Sequence, residues 1–134
     1  MKLVGAAVVL ALAAPAAAPA PIAGRWVTDD GKALVAIAAC GKAMCGKIVR
    51  VLKPTPGKPA LDANNPDPRL RNRTIEGLTI LTGLTAASDG WRGNVYDPKS
   101  GRTYAARVWR AGAGLKVEGC WGVLCRTQDW TAAR

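Results

Sequence analysis

Residues 91–120, WRGNVYDPKSGRTYAARVWRAGAGLKVEGC, alternate short extended runs with turn chemistry. Trp91–Tyr96 reads as a strand. Asp97-Pro98-Lys99-Ser100-Gly101 reads as a hairpin turn, because Pro presets one turn dihedral and Gly accepts the left-handed one. Arg102–Trp109 alternates, and Gly112-Ala113-Gly114 turns the chain again. Leu115–Cys120 then sets Leu115, Val117 and Gly119 against Lys116, Glu118 and Cys120. A period of two throws successive side chains to opposite faces of a sheet, which no helix does.

The same grammar extends both ways. Downstream, a last strand is expected over Cys125–Trp130. Upstream, Arg25–Thr28 meets a D-G turn at Asp29-Asp30-Gly31-Lys32, followed by Ala33–Ala39. Cys40–Cys45 connects tightly into Gly46–Leu52. Ile75–Leu81 is a further strand, with a turn over Gly83–Gly90. The count is eight strands, with no helix and no internal repeat. Eight antiparallel strands with short turns predict an all-β, up-and-down barrel, which leaves no exposed edge. A β-sandwich is the structural alternative. With 134 residues the chain has room for one domain.

Residues 1–20 read as a signal peptide. Lys2 precedes an apolar run, Leu3–Ala14, and small residues follow, with an A-x-A site at Ala14-Pro15-Ala16 and another at Ala16-Ala17-Ala18. Cleavage is expected near residues 16–20, leaving a single barrel domain over 21–134. The apolar run is short for a bilayer span, and no second one follows, so the mature chain has no expected transmembrane segment. The expected location is the periplasm or the outside of a bacterial cell.

Export places the four cysteines in an oxidising compartment, where an even count favours disulfides. In a meander, alternate connections share an end. The turns at 41–44 and 121–124 then fall at opposite ends, beyond the reach of a cross-bridge. The expected pairs are therefore Cys40–Cys45 and Cys120–Cys125. The chain has no His, so a Ser-His-Asp triad, a Cys-His pair and a His-ligated metal are excluded. No dinucleotide or phosphate-loop fingerprint occurs. No catalytic residue, metal or cofactor is expected, and the protein is not read as an enzyme.

Lys and Arg total 19 against 9 acidic residues, a formal charge of +10, or +9 (18 minus 9) once Lys2 is removed with the leader. Such a protein is drawn to anionic surfaces. Export favours envelope material over nucleic acid as the partner.

Several segments together resemble a family of secreted bacterial proteins, domain of unknown function 2147. They are Ile22-Ala23-Gly24-Arg25-Trp26 with Asp30-Gly31-Lys32; Cys40-Gly41 through Cys45-Gly46-Lys47-Ile48; and Asn65-Pro66-Asp67-Pro68 with Leu70-Arg71-Asn72-Arg73. Gly77-Leu78, Gly90-Trp91 with Gly93, Tyr96-Asp97-Pro98 with Gly101 and Tyr104, and Gly119-Cys120 with Cys125-Arg126-Thr127 and Trp130 continue the match. It spans the mature chain in order. The resemblance implies a lipocalin-like (calycin-like) barrel and an extracytoplasmic location, and no assigned activity. Gly24-x-Trp26 also looks like the first-strand signature of lipocalins. That likeness implies that Trp26 plugs the closed end under a basic residue from the last strand, with Arg126 or Arg134 as candidates.

Residues 53–74 hold five prolines and no periodicity, a loop long enough to be a lid or binding segment. Arg69, Arg71 and Arg73 alternate, so an extended stretch would line three guanidinium groups along one side, suited to anionic oxygens. Solvation, or pairing with Asp62 and Asp67, is the plainer use of these arginines. Parity puts them at the same barrel end as Asp29, Asp97, Arg102 and Trp121. In Arg102–Trp109, either Tyr104, Ala106 and Val108 face inward, which is favoured, or Ala105, Arg107 and Trp109 do, which would set a cation in the lumen. The candidate ligand contacts are thus Arg69, Arg71, Arg73, Trp121, Tyr104, Arg107 and Trp109. The expected function is binding of a small lipid-like, amphipathic or anionic ligand at the barrel mouth. The alternative is an envelope surface-interaction module that uses its basic exterior and holds no lumen ligand.

Overall fold

The computed structural model describes residues 2–12 and 18–134. The expected Ala14-Pro15-Ala16 cleavage site lies outside the described residues. Residues 2–12 carry no regular secondary structure and are exposed. No helix among the described residues is long and apolar enough to cross a membrane.

Eight strands form one closed antiparallel barrel in chain order. They are β1 (Gly24–Val27), β2 (Ala33–Cys40), β3 (Ala43–Val51), β4 (Thr79–Ala87), β5 (Gly90–Asp97), β6 (Arg102–Ala111), β7 (Gly114–Trp121) and β8 (Leu124–Ala132). A 3-10 turn at Pro68–Leu70 is the one helical element among the described residues. The sandwich alternative is excluded. Two boundaries, both of β4, differ from the sequence reading by more than three residues. β4 begins at Thr79 rather than Ile75, so the loop is longer and runs from 52 to 78. Gly83, read as the start of a turn, lies inside β4 with a φ of 61°. The β4–β5 register shifts between Thr82 and Thr85, so this glycine marks a bulge that lets the strand continue.

The interior face is set by alternation. Val108 faces Trp91 and Val117 across the ladders, and Trp130 faces Leu115. Val108, Val117, Leu115 and Trp130 join Ile22, Val35, Ile37, Ile48, Leu81 and Leu84 in one buried cluster, with the half-buried Trp91 packed against it. An eight-stranded barrel has an interior just wide enough for side chains to fill, and here they fill its lower and middle parts.

One end is plugged. The Trp26 indole donates to the carbonyl of Ile22 at 3.0 Å, and Ile22 is fully buried. The Trp91 indole donates to the Ala20 carbonyl at 3.1 Å, and an Arg110 guanidinium nitrogen donates to the Pro21 carbonyl at 3.4 Å. The segment leading into β1 is therefore the floor of the barrel. The cation over Trp26 is Arg110 of β6, with Cζ 5.1 Å from the ring. It is neither Arg126 nor Arg134. Trp26 pairs with Ala132, and Arg126 lies six residues back along β8, some ~20 Å away at 3.3 Å per residue. Arg134 is exposed beyond the end of β8.

Both cysteine pairs are bonded locally, Cys40–Cys45 with Cα atoms 5.8 Å apart and Cys120–Cys125 at 4.1 Å. Each closes one hairpin, at opposite ends of the barrel.

Candidate functional site at the barrel mouth

The β1–β2, β3–β4, β5–β6 and β7–β8 connections gather at the end opposite Trp26. Three sets of contacts cover half of that mouth. First, Lys99 Nζ lies 2.7 Å from Asp30 Oδ2, joining the β5–β6 turn to the β1–β2 turn, four strands away around the ring. Burial pushes the Asp30 carboxyl up, but hydrogen bonds from Lys99, Thr28 and the Lys32 amide outweigh it and bring it down to about 2. Second, Asn64 Nδ2 donates to the carbonyls of Pro98 (3.3 Å) and Lys99 (2.9 Å). Third, Asp62 is fully buried and accepts from Tyr96 Oη (2.6 Å), Asn65 Nδ2 (2.8 Å) and Arg73 Nε (2.8 Å). Burial raises the Asp62 carboxyl, and these three donors more than reverse that. Burial and the neighbouring carboxylate push the Tyr96 phenol up to about 12.

This geometry answers the loop expectation. The loop is a lid held in place by its own polar groups. Asp67 caps the 3-10 turn by accepting from the Arg69 amide, and Pro68 sits at its first position. The stretch 68–70 is therefore wound, not extended, and the expected row of guanidinium groups does not form. Arg69 is bidentate to Asp67, Arg71 donates to the Asn65 carbonyl at 2.8 Å, and Arg73 holds Asp62. Arg71 and Arg73 organise the lid, while Arg69 points to solvent with its side chain 88% exposed.

Arg107 and Trp109 are corrected as well. They lie on the outer face, where the Arg107 guanidinium stacks 4.0 Å over the Trp109 ring. Arg107 NH2 donates to Glu118 Oε2 at 3.5 Å and NH1 to Asp89 Oδ2 at 3.4 Å, which leaves only Nε unbonded. The inward set is Tyr104, Ala106 and Val108, the favoured alternative.

The other half of the mouth is open. β1 ends at Val27, and β8 meets it only at Thr131 and Ala132. Leu124–Trp130 therefore have β7 on one side and no strand on the other. In this half Arg126 faces Gly119 and Gln128 faces Val117, so both stand on the inner face, in line with the buried Trp130. Both are nevertheless exposed. Gln128 Oε1 accepts from the Trp130 indole at 3.0 Å, which ties it to the core. Arg126 makes no side-chain hydrogen bond or ion pair among the described residues. Tyr104 and Trp121 meet edge to face at 5.8 Å on the same side, and Arg102 stacks 5.2 Å from the Trp121 ring. Of the predicted ligand contacts, Tyr104 and Trp121 are thus brought together. Arg126, assigned to the floor from the sequence, stands in the mouth with them. Counting back by twos from Trp130 would have found both it and Gln128.

Two cavities, about 430 Å³ and about 150 Å³, sit at the foot of the lid, where 73–79 rejoins β4, and not in the open mouth. Glu76, which lines both, is engaged by the Val51 amide at 2.9 Å. Glu118, Cys120 and Cys125 bring metal-ligating atom types together, but both sulfurs are in a disulfide and offer no thiolate.

Among solved structures, the chain is similar to Protein HP1028 from Helicobacter pylori, described as belonging to the lipocalin family. The TM-score is 0.73 at 22% identity, covering 85% of this chain and 84% of that one. That likeness shows the fold. No curated protein matches the chain in sequence. The family model for domain of unknown function 2147, described as an uncharacterized protein conserved in bacteria, matches residues 24–132, from the first residue of β1 to the last of β8. The chain is a lipocalin-like barrel and belongs to that family.

Proposed function

We propose that the protein is an exported, non-catalytic carrier that binds a small anionic or amphipathic ligand in the open half of its mouth. The observation that carries this reading is Arg126. It is an exposed cation on the inner wall that has no side-chain partner among the described residues. Gln128 supplies an amide beside it, and Tyr104 and Trp121 supply aromatic surface. An apolar wall with a few converging polar groups is the usual form of a small-molecule site. Below Arg126 the lumen is filled by Val108, Val117 and Trp130, so the pocket is shallow and suits a compact acidic head with a short apolar body. Binding rather than turnover is supported by two carboxylates at the mouth, Asp30 and Asp62. Asp30 is engaged by Lys99 and Asp62 by three donors, and neither is free to move a proton. Export is supported by the apolar leader and by the two disulfides.

Purifying the protein from its own host and weighing it under native conditions tests the reading. A bound mass that disappears in Arg126→Glu and persists in Arg69→Glu is the expected result. A bound mass indifferent to Arg126 would place the ligand elsewhere.

A further inference from the structure

The β7–β8 hairpin ends in Trp121-Gly122-Val123-Leu124, a two-residue turn whose apolar side chains face solvent. Trp121 is 56% exposed, Leu124 75% and Val123 97%. Apolar residues scattered singly on a surface are ordinary, but three at one convex tip are not. The Cys120–Cys125 bond lies directly behind the turn and cross-links the two strands. Cations flank the tip. Arg102 stacks on Trp121, and Arg126 follows Leu124 by two residues. No carboxylate lies between Cys120 and Gln128.

We infer that this tip docks the barrel onto an anionic phospholipid bilayer, with Val123 and Leu124 entering the headgroup region and Trp121 at the interface. Three features favour a bilayer over a protein partner. The patch is a convex point of three side chains, far short of the roughly 1,000 Å² a stable protein interface needs. An indole and two aliphatic side chains flanked by two arginines match an interface that is apolar below and negative above. Without its leader the molecule still carries +9 (18 minus 9), so attraction to an anionic membrane acts before contact. Docked this way, the open half of the mouth would face the membrane. The inference does not require a lumen ligand, because the tip residues and not Arg126 supply the apolar insertion.

The test reads Trp121 directly, so that contact through any other part of the chain is not counted. Protein purified from its host is mixed with phosphatidylcholine vesicles containing half phosphatidylglycerol, the chains carrying bromine near the headgroup as a fluorescence quencher. The wild type should be quenched more than Trp121→Phe, and pure phosphatidylcholine should give less than a tenth of that difference. Val123→Asp with Leu124→Asp should lower the apparent affinity at least tenfold, with an unchanged melting temperature because both positions are exposed. Quenching that is equal in wild type and Trp121→Phe would overturn the inference. So would quenching that survives the double substitution. A concentration-dependent dimer in sedimentation, dissolved by the same double substitution, would assign the tip to a second copy instead.

Discussion

Lys99 Nζ and Asp30 Oδ2 meet at 2.7 Å across the mouth of the barrel, joining turns on opposite sides of the ring. This contact divides the mouth into a covered half, beneath residues 52–78, and an open half between β6, β7, β8 and β1. Because hydrogen bonds depress the Asp30 carboxyl to about 2, its stabilising share is fully present above pH ~4 and is lost as pH falls toward 2. Lys99 is largely exposed, so the share is about 1 kcal/mol after screening. The difference in thermal stability between wild type and Asp30→Asn should be flat from pH 5 upward and shrink toward pH 2. A difference that instead grows on acidification would contradict the assignment.

Gly101 has a φ of +72°, and a Cβ there would lie 1.8 Å from the Asn64 carbonyl oxygen. Gly101→Ala should therefore push the lid off the β5–β6 turn, at a cost on the order of 2 kcal/mol or more. Hydrogen exchange checks it. The Asp62 and Asn65 amides, bonded to the Arg73 and Asp62 carbonyls, should lose protection before β6 and β7 do.

Asp62 is the knot of the lid. Asp62→Asn leaves Arg73 and Tyr96 without their charged acceptor and should cost about 3 kcal/mol. The phenol of Tyr96, followed by phenolate absorbance in a Tyr104→Phe background, should titrate near 12 in the parent and lower in Asp62→Asn. A phenol whose folded value is raised contributes stability that is complete below pH 10 and lost as pH climbs through about 12. Tyr96→Phe should remove that alkaline loss.

The floor makes a prediction about processing. Ala20 and Pro21 use their carbonyls to hold Trp91 and Arg110, and Ile22 is fully buried. The mature N-terminus should therefore lie at or before Ala20, which intact mass settles. A chain trimmed to begin at Ala23 should lose about 2–4 kcal/mol of stability, chiefly the burial of Ile22.

The strand plan and the disulfides were legible because they depend on local chemistry. Asp97-Pro98-Lys99-Ser100-Gly101 turns wherever it stands, and Cys40 and Cys45 share one tight connection. What failed depended on register or on competition. Arg69, Arg71 and Arg73 alternate on paper, but Asp67 and Pro68 wind the backbone first. Gly83 looks like a turn and is a bulge. Arg126 belongs to the last strand, as read, yet only the pairing of Trp26 with Ala132 shows that it stands at the wrong end to cover Trp26. The Asp62–Tyr96 bond spans 34 residues of sequence, and no periodicity announces such a contact.

The most direct test is a pair of native masses, wild type against Arg126→Glu, both purified from the natural host. A non-covalent adduct on the wild type alone, with equal melting temperatures for the empty proteins, is the expected outcome. The same adduct on both proteins, or no adduct on either, would contradict a ligand held by that guanidinium.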